Sequence, residues 1–177
     1  VAFIEILNRL SADEIKILEY INSPSNKINI TDLTNEELLR HGFQKGVTEL
    51  ELKGSLPTIN VNLVNEHQEG FRTIVKNFNC LTDKISLDIP SNLHSYLDNM
   101  ISLGLLHRNF TLKFAVHKIY AHLEKHKDIV AIQQQLKESQ RLDFDRGRID
   151  TTDLGISLLE LCSSQRTSQK IVSAQPK

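Results

Sequence analysis

The sequence predicts a mainly α fold with a small β component. Its expected architecture is a winged-helix-like three-helix core plus a β-hairpin wing interrupted by a long helix. Three observations predict its helices, and the winged-helix form is what the resemblance of the Ser102–Leu106 and Thr151–Gly155 segments implies. Ser11-Ala12-Asp13-Glu14 and Thr34-Asn35-Glu36-Glu37 are capping boxes, in which the hydroxyl and the carboxylate satisfy free amides at a helix start. Apolar residues recur at i, i+3, i+4 and i+7 in several segments, the stripe of an amphipathic helix. No Gly or Pro interrupts residues 112–137.

In chain order, Phe3, Ile6, Leu7 and Leu10 form a first helical stripe. Ser11 caps a second helix whose buried side is Ile15, Leu18 and Ile21, stopped by the turn formers Asn22 to Asn26. Thr34 opens a short helix through Leu38 and Leu39, and Gly42 supplies its left-handed stop. The period then changes. Leu50 and Leu52 alternate with Glu49 and Glu51, and Ile59, Val61 and Leu63 alternate with Asn60 and Asn62. Two short strands around a turn at Lys53-Gly54-Ser55-Leu56-Pro57 follow from that, with a loosely folded insertion as the competing reading.

Phe71, Ile74, Val75 and Phe78 return to helical spacing and predict a helix over 66–79. Leu93, Tyr96, Leu97, Met100 and Ile101 repeat it over 91–103, and Gly104 ends that helix before the extended Leu105-Leu106. Residues 112–138 read as one helix of ~39 Å, or as two broken near Lys127-Asp128. The long helix is taken into the expected architecture. Leu142 and Phe144 alternate with Asp143 and Asp145, Arg146-Gly147 makes a turn, and Arg148-Ile149 resumes the extended run. Strands near 105–109 and 141–150 would form the wing. Thr151 or Thr152 caps a last helix with Leu154, Leu158 and Leu161 on its core side. The expected organisation is a single mostly helical domain over 1–163, an appended lobe at about 26–65 and a disordered tail over 164–177, which has almost nothing to bury.

Composition narrows the function. Lys and Arg total 21 and Asp and Glu total 22, for a formal charge of −1, so no global attraction draws this chain to phosphate backbones. Cys80 and Cys162 lie far apart and are expected as free thiols in a reducing, cytoplasmic compartment. No stretch approaches the ~20 apolar residues of a membrane span. The chain starts at Val1 rather than Met, with helical residues at once, and is read as a fragment whose upstream targeting or anchoring segments are left open.

One constellation is more specific. A helix ends in Ser102-Leu103-Gly104-Leu105-Leu106, and Thr151-Thr152-Asp153-Leu154-Gly155 opens a closing helix after an extended stretch. Winged helices commonly read this way. Together with Phe3-Ile4-Glu5-Ile6-Leu7, the segment Leu10 to Leu18 and the ending Leu161-Cys162, the chain resembles the Abi-alpha family, a bacterial domain of unknown function associated by name with abortive phage infection. The resemblance spans residues 1–22, 90–107 and 148–163. It implies a phage-defence context and supplies no catalytic residues.

Each candidate chemistry competes with a plain structural role. A recognition helix over 91–103 would offer base edges only Asn92, His94, Ser95, Asp98, Asn99 and Ser102, without Arg or Lys. The stronger candidate is a patch over 107–127, where Arg108, Lys113, Lys118, Lys125 and Lys127, with His107, His117, His122 and His126, face only Glu124. It would bind an acidic protein or phosphate, more strongly below roughly pH 6.5 as the histidines charge, although such runs are usually solvated helix faces. His122 and His126 share a helix face at i, i+4. Glu124 does not follow the first His as a metalloprotease requires, and no third ligand is evident, so no metal is expected. Cys80 and Cys162 lack sequence-neighbouring bases. Asp143, Asp145, Asp150 and Asp153 interleave with Arg141, Arg146 and Arg148, which favours cross-strand ion pairs over a calcium site. The expected function is a non-enzymatic interaction or regulatory domain acting through protein contacts, without cofactor. A protein partner, a second copy among the options, is favoured over nucleic acid bound at Arg108, Lys113, His117, Lys118, Lys125 and Lys127.

Overall fold

Residues 55–65 and 140–151 both alternate apolar and polar side chains, and they pair antiparallel along their whole length, from Ser55↔Asp150 to Asn65↔Gln140. That ladder is the spine of the molecule. The computed structural model describes residues 2–66 and 69–173, with side chains of 3–66 and 69–163. Its elements are α1 (Ala2–Leu7), α2 (Ala12–Ile21), β1 (Lys27–Asn29), α3 (Asn35–Arg40), β2 (Glu49–Glu51), β3 (Ser55–Asn65), β4 (Phe71–Phe78), α4 (Leu93–Ser102), β5 (Leu106–Asn109), α5 (Ala121–Glu124), α6 (Lys127–Gln134), β6 (Gln140–Thr151) and α7 (Asp153–Ser173). Short 3-10 turns at Leu81–Asp83, Pro90–Asn92 and His117–Tyr120 complete it.

The strands form a four-stranded antiparallel sheet in the order β4-β3-β6-β5 and a separate β1-β2 ribbon. The expected mainly α, winged-helix-like fold is overturned. This is an α/β fold with a sheet at its centre. Residues 71–78 of the expected 66–79 helix are the edge strand β4. Its register against β3 jumps between Ile59 and Val61 and again between Val61 and Asn62, each jump adding one residue to β4. Those bulges convert a two-residue period into the i, i+3, i+4, i+7 spacing that imitates a helix. The strands expected as a wing do pair, Leu106↔Thr151 through Asn109↔Arg148, but β6 also pairs with β3 and is no free-standing hairpin.

Gly147 makes no turn either. It sits mid-strand because a Cβ there would stand 2.6 Å from the Phe110 ring and 2.7 Å from the Asn109 carbonyl oxygen. The single helix expected over 112–138 is likewise absent. Within it lie only the 3-10 turn, α5 and α6, and His126 is an extended N-cap residue that starts α6 afresh. Of the two strands expected around Gly54, both form, yet β2 pairs with β1 and β3 with β4 and β6.

Three apolar clusters hold these layers together. On one face of the spine, Leu56, Leu106 and Ile149 pack with Ile17, Leu18, Leu97, Met100 and Leu158 of α2, α4 and α7. On the other, Ile59 and Val61 pack with Tyr120, Leu123, Ile129 and Cys80. The third cluster joins Ile28, Ile30, Leu33, Leu38 and Leu52 to Val116 and Ile119. Asn26 ties the end of α2 to the start of β3. Its buried amide donates to the carbonyls of Ile21, Leu52 and Ser55 at 2.8–3.0 Å. No helix among the described residues is long and apolar enough to cross a membrane. The tail expected over 164–177 lies outside the described side chains.

Candidate functional site

Both capping boxes form as read. Ser11 Oγ accepts the Glu14 amide, and Thr34 Oγ1 accepts the Glu37 amide. The segments that carried the family resemblance meet in space. Thr152 Oγ1 donates to the Gly104 carbonyl at 2.6 Å, the Gly155 amide donates back to Thr152 Oγ1, and the Thr152 amide donates to the Leu105 carbonyl. Gly104 is left-handed at φ 73°, and a Cβ on Gly155 would sit 2.5 Å from the Leu105 oxygen. These residues form a structural latch between α4 and α7.

Groups able to do chemistry converge elsewhere. Cys80, Asp83 and His126 place their ligand-type atoms all within 4.8 Å of one another. One wall of the site is the end of β4 and the turn after it. Asn77 is left-handed at φ 53°, and its amide donates to Asn60 Oδ1 on β3. Asn79 then spans the turn, its amide donating to the Asn77 carbonyl and its Oδ1 accepting the Leu81 amide. Buried Leu81 anchors the following 3-10 turn, which carries Asp83 back toward Cys80. The other wall is the α5–α6 junction. Leu123 and Ile129 are fully buried on either side of His126, and the imidazole lies 5.2 Å from the Phe78 ring.

The hydrogen bonds specify the histidine's tautomer. Nδ1 accepts the Asp128 amide at 3.3 Å as the α6 cap, so the ring hydrogen lies on Nε2, 3.0 Å from Asp83 Oδ2. Burial, and then the Asp83 carboxylate, push the Cys80 thiol up to about 11. Such a thiol is a poor nucleophile. The imidazole also offers Asp83 and Asp128 its two nitrogens, not the two-sided Cys–His–Asp relay that activates sulfur. Cys80 and Cys162 are both free thiols. His122 stays outside the trio. Desolvation, with Lys84 and His126 nearby, lowers its pKa from 6.5 against an opposing bond at Ile119.

The basic patch is distributed over several elements. Arg108, on edge strand β5, is held by Asp98 of α4 at 3.2 Å. Lys118 Nζ donates to the Asp32 carbonyl at 2.7 Å and to Glu37 at 3.1 Å. Lys113, His117, Lys125 and Lys127 are exposed and make no ion pair among the described residues. Lys125 and Lys118 flank a cavity of about 170 Å³ beside Asn29 and Asp32. Among the described residues, the arginines of β6 make no cross-strand ion pair. Arg146 Nε meets Glu124 of α5 at 2.6 Å, and Arg148 Nε lies 2.9 Å from Asp150 Oδ2 of its own strand, out of line for a hydrogen bond.

Sequence reasoning missed the trio because its members come from two segments 43 residues apart, joined only by the sheet and the helix break. The Cys80-x-x-Asp83 spacing was the one legible trace.

The profile of a family described as abortive infection alpha matches residues 1–162. No curated protein matches. A solved structure, described as the uncharacterized protein from the hydrocarbon-degrading marine bacterium Alcanivorax borkumensis SK2, is similar over 92% of each chain, at 14% identity and a TM-score of 0.44.

Proposed function

We propose a function from one premise: this chain belongs to the abortive infection alpha family. In that setting it acts in the bacterial cytoplasm as a non-enzymatic interaction and regulatory domain of phage defence. Its contact surface is the cationic segment, and its partner is an acidic protein. The supporting observation is the occupancy of that segment's charges. Arg108 and Lys118 are already bound to Asp98 and Glu37, which leaves Lys113, Lys125 and Lys127 on a chain of net charge −1. Three lysines release too few counterions to hold duplex DNA well at physiological salt, where each phosphate contact contributes a slope of roughly −0.9. They suffice to steer and orient a carboxylate-rich protein surface.

Two measurements test this reading. Duplex DNA titrated at 0.15 M salt should show no binding tighter than ~10 µM; tighter binding with a steep salt slope overturns it in favour of nucleic acid. In the encoding bacterium, reversing Lys113, Lys125 and Lys127 to Glu should abolish protection against phage while the purified variant stays folded. Full protection by that variant refutes the surface.

A further inference from the structure

We propose that Cys80, Asp83 and His126 bind one divalent transition-metal ion of the zinc type. Each supplies a donor of the right kind, and their ligand atoms already lie within 4.8 Å of one another. Bond lengths of about 2.3 Å to sulfur and 2.0–2.2 Å to nitrogen and oxygen put tetrahedral donors ~3.5 Å apart. The sulfur–nitrogen–oxygen set selects zinc over calcium or magnesium, which need six or more oxygens or near-complete hydration. Both walls are fixed, one by the Asn77–Asn79 hydrogen bonds and one by the buried Leu123 and Ile129. Three protein donors leave a fourth position for water. The half-exposed Asp83 side chain, 47% accessible, sets the side from which the ion enters.

The protons balance as follows. The Cys80 S–H bond breaks as the S–metal bond forms, and that proton leaves to solvent. The hydrogen on His126 Nε2 leaves that nitrogen for solvent, and one from solvent is taken up at Nδ1. Asp128 Oδ2, 3.5 Å from Nδ1, receives it in place of the weak cap bond. Asp128 is thus a positioning residue, the carboxylate behind the metal-bound histidine.

Cobalt(II), titrated anaerobically into the chelator-treated full chain, tests the site. The expected result at one equivalent is a thiolate-to-cobalt charge-transfer band with intense tetrahedral d–d bands, both displaced by zinc. Cys162→Ser should keep the band and Cys80→Ser should lose it. Asp83→Asn, at a half-exposed position that leaves the fold intact, should weaken cobalt at least ~10-fold. Asp128→Asn should weaken it ~10- to 100-fold and remove the protected Nδ1–H signal of bound His126 in NMR spectra. Absence of saturable binding at one equivalent, a band surviving Cys80→Ser, or unchanged affinity in Asp83→Asn overturns the proposal.

Discussion

The two faces of the spine are built by different means. On the α2–α4–α7 face, each element is announced by its own residues: the Ser11 box, the Gly104 stop and the Thr152 cap. On the Cys80–His126 face, the elements exist only through pairing and packing with distant chain. β4 follows β3 through two bulges, and the α5–α6 segment is broken where its side chains meet the sheet. Local capping can be read from a few neighbouring residues. Register and burial are settled by what lies opposite.

The strongest way to break this contrast is to empty the second face. Tyr120 is fully buried, and its hydroxyl accepts the Phe114 amide. Tyr120→Ala should cost ~3–5 kcal/mol, as large aromatic truncations do. Chemical denaturation should still show one transition, because β3 gives Leu56 to one face and Ile59 and Val61 to the other. Two separated transitions would show that the faces are independent units. Next in size is the latch. Gly155→Ala drives a Cβ to 2.5 Å from a backbone oxygen that cannot swing aside, and should cost ~1–3 kcal/mol in the same measurement.

The sequence's legibility follows the same line. The starts of α2 and α3 and the cap on α7 could be read because a hydroxyl three residues from an amide determines them. β4 was misread although Thr73, Ile74 and Val75 are β-branched and favour a strand. Gly147 was misread because close approach and turning both demand glycine, and only Phe110's position distinguishes them. The family could be read from residues 1–22, 90–107 and 148–163, the last two of which the latch joins. The metal-type trio could not, since it has no short spacing that joins both halves.

Smaller effects sharpen the contrast within capping itself. Ser11 works with a buried Glu14, whose other oxygen accepts the Asn99 amide at 2.6 Å, whereas the Thr34 box lies on the surface of the lobe. Ser11→Ala should therefore cost ~2 kcal/mol and Thr34→Ala ~0.5 kcal/mol, the two ends of the usual range for lost N-caps. Urea midpoints at unchanged slope would show it, and equal losses would mean that burial adds nothing to a cap.

The smallest effect is a pH dependence at the Thr34 box. The Thr34 backbone amide, and then Lys118, hold the Glu37 carboxyl down at about 2 against an ordinary 4.5. A carboxylate whose folded pKa is depressed stabilises the fold fully above its unfolded value, and that contribution fades as pH falls toward the folded one. Glu37→Gln should thus lower the melting temperature slightly at neutral pH. The gap to the parent chain should narrow below about pH 4.5 and close near pH 2. Because the side chain is one-third exposed and Lys118 is more so, salt should shrink the gap as well. A gap that stays constant from pH 7 to pH 2 would mean that the box works through hydrogen-bond geometry alone, without charge.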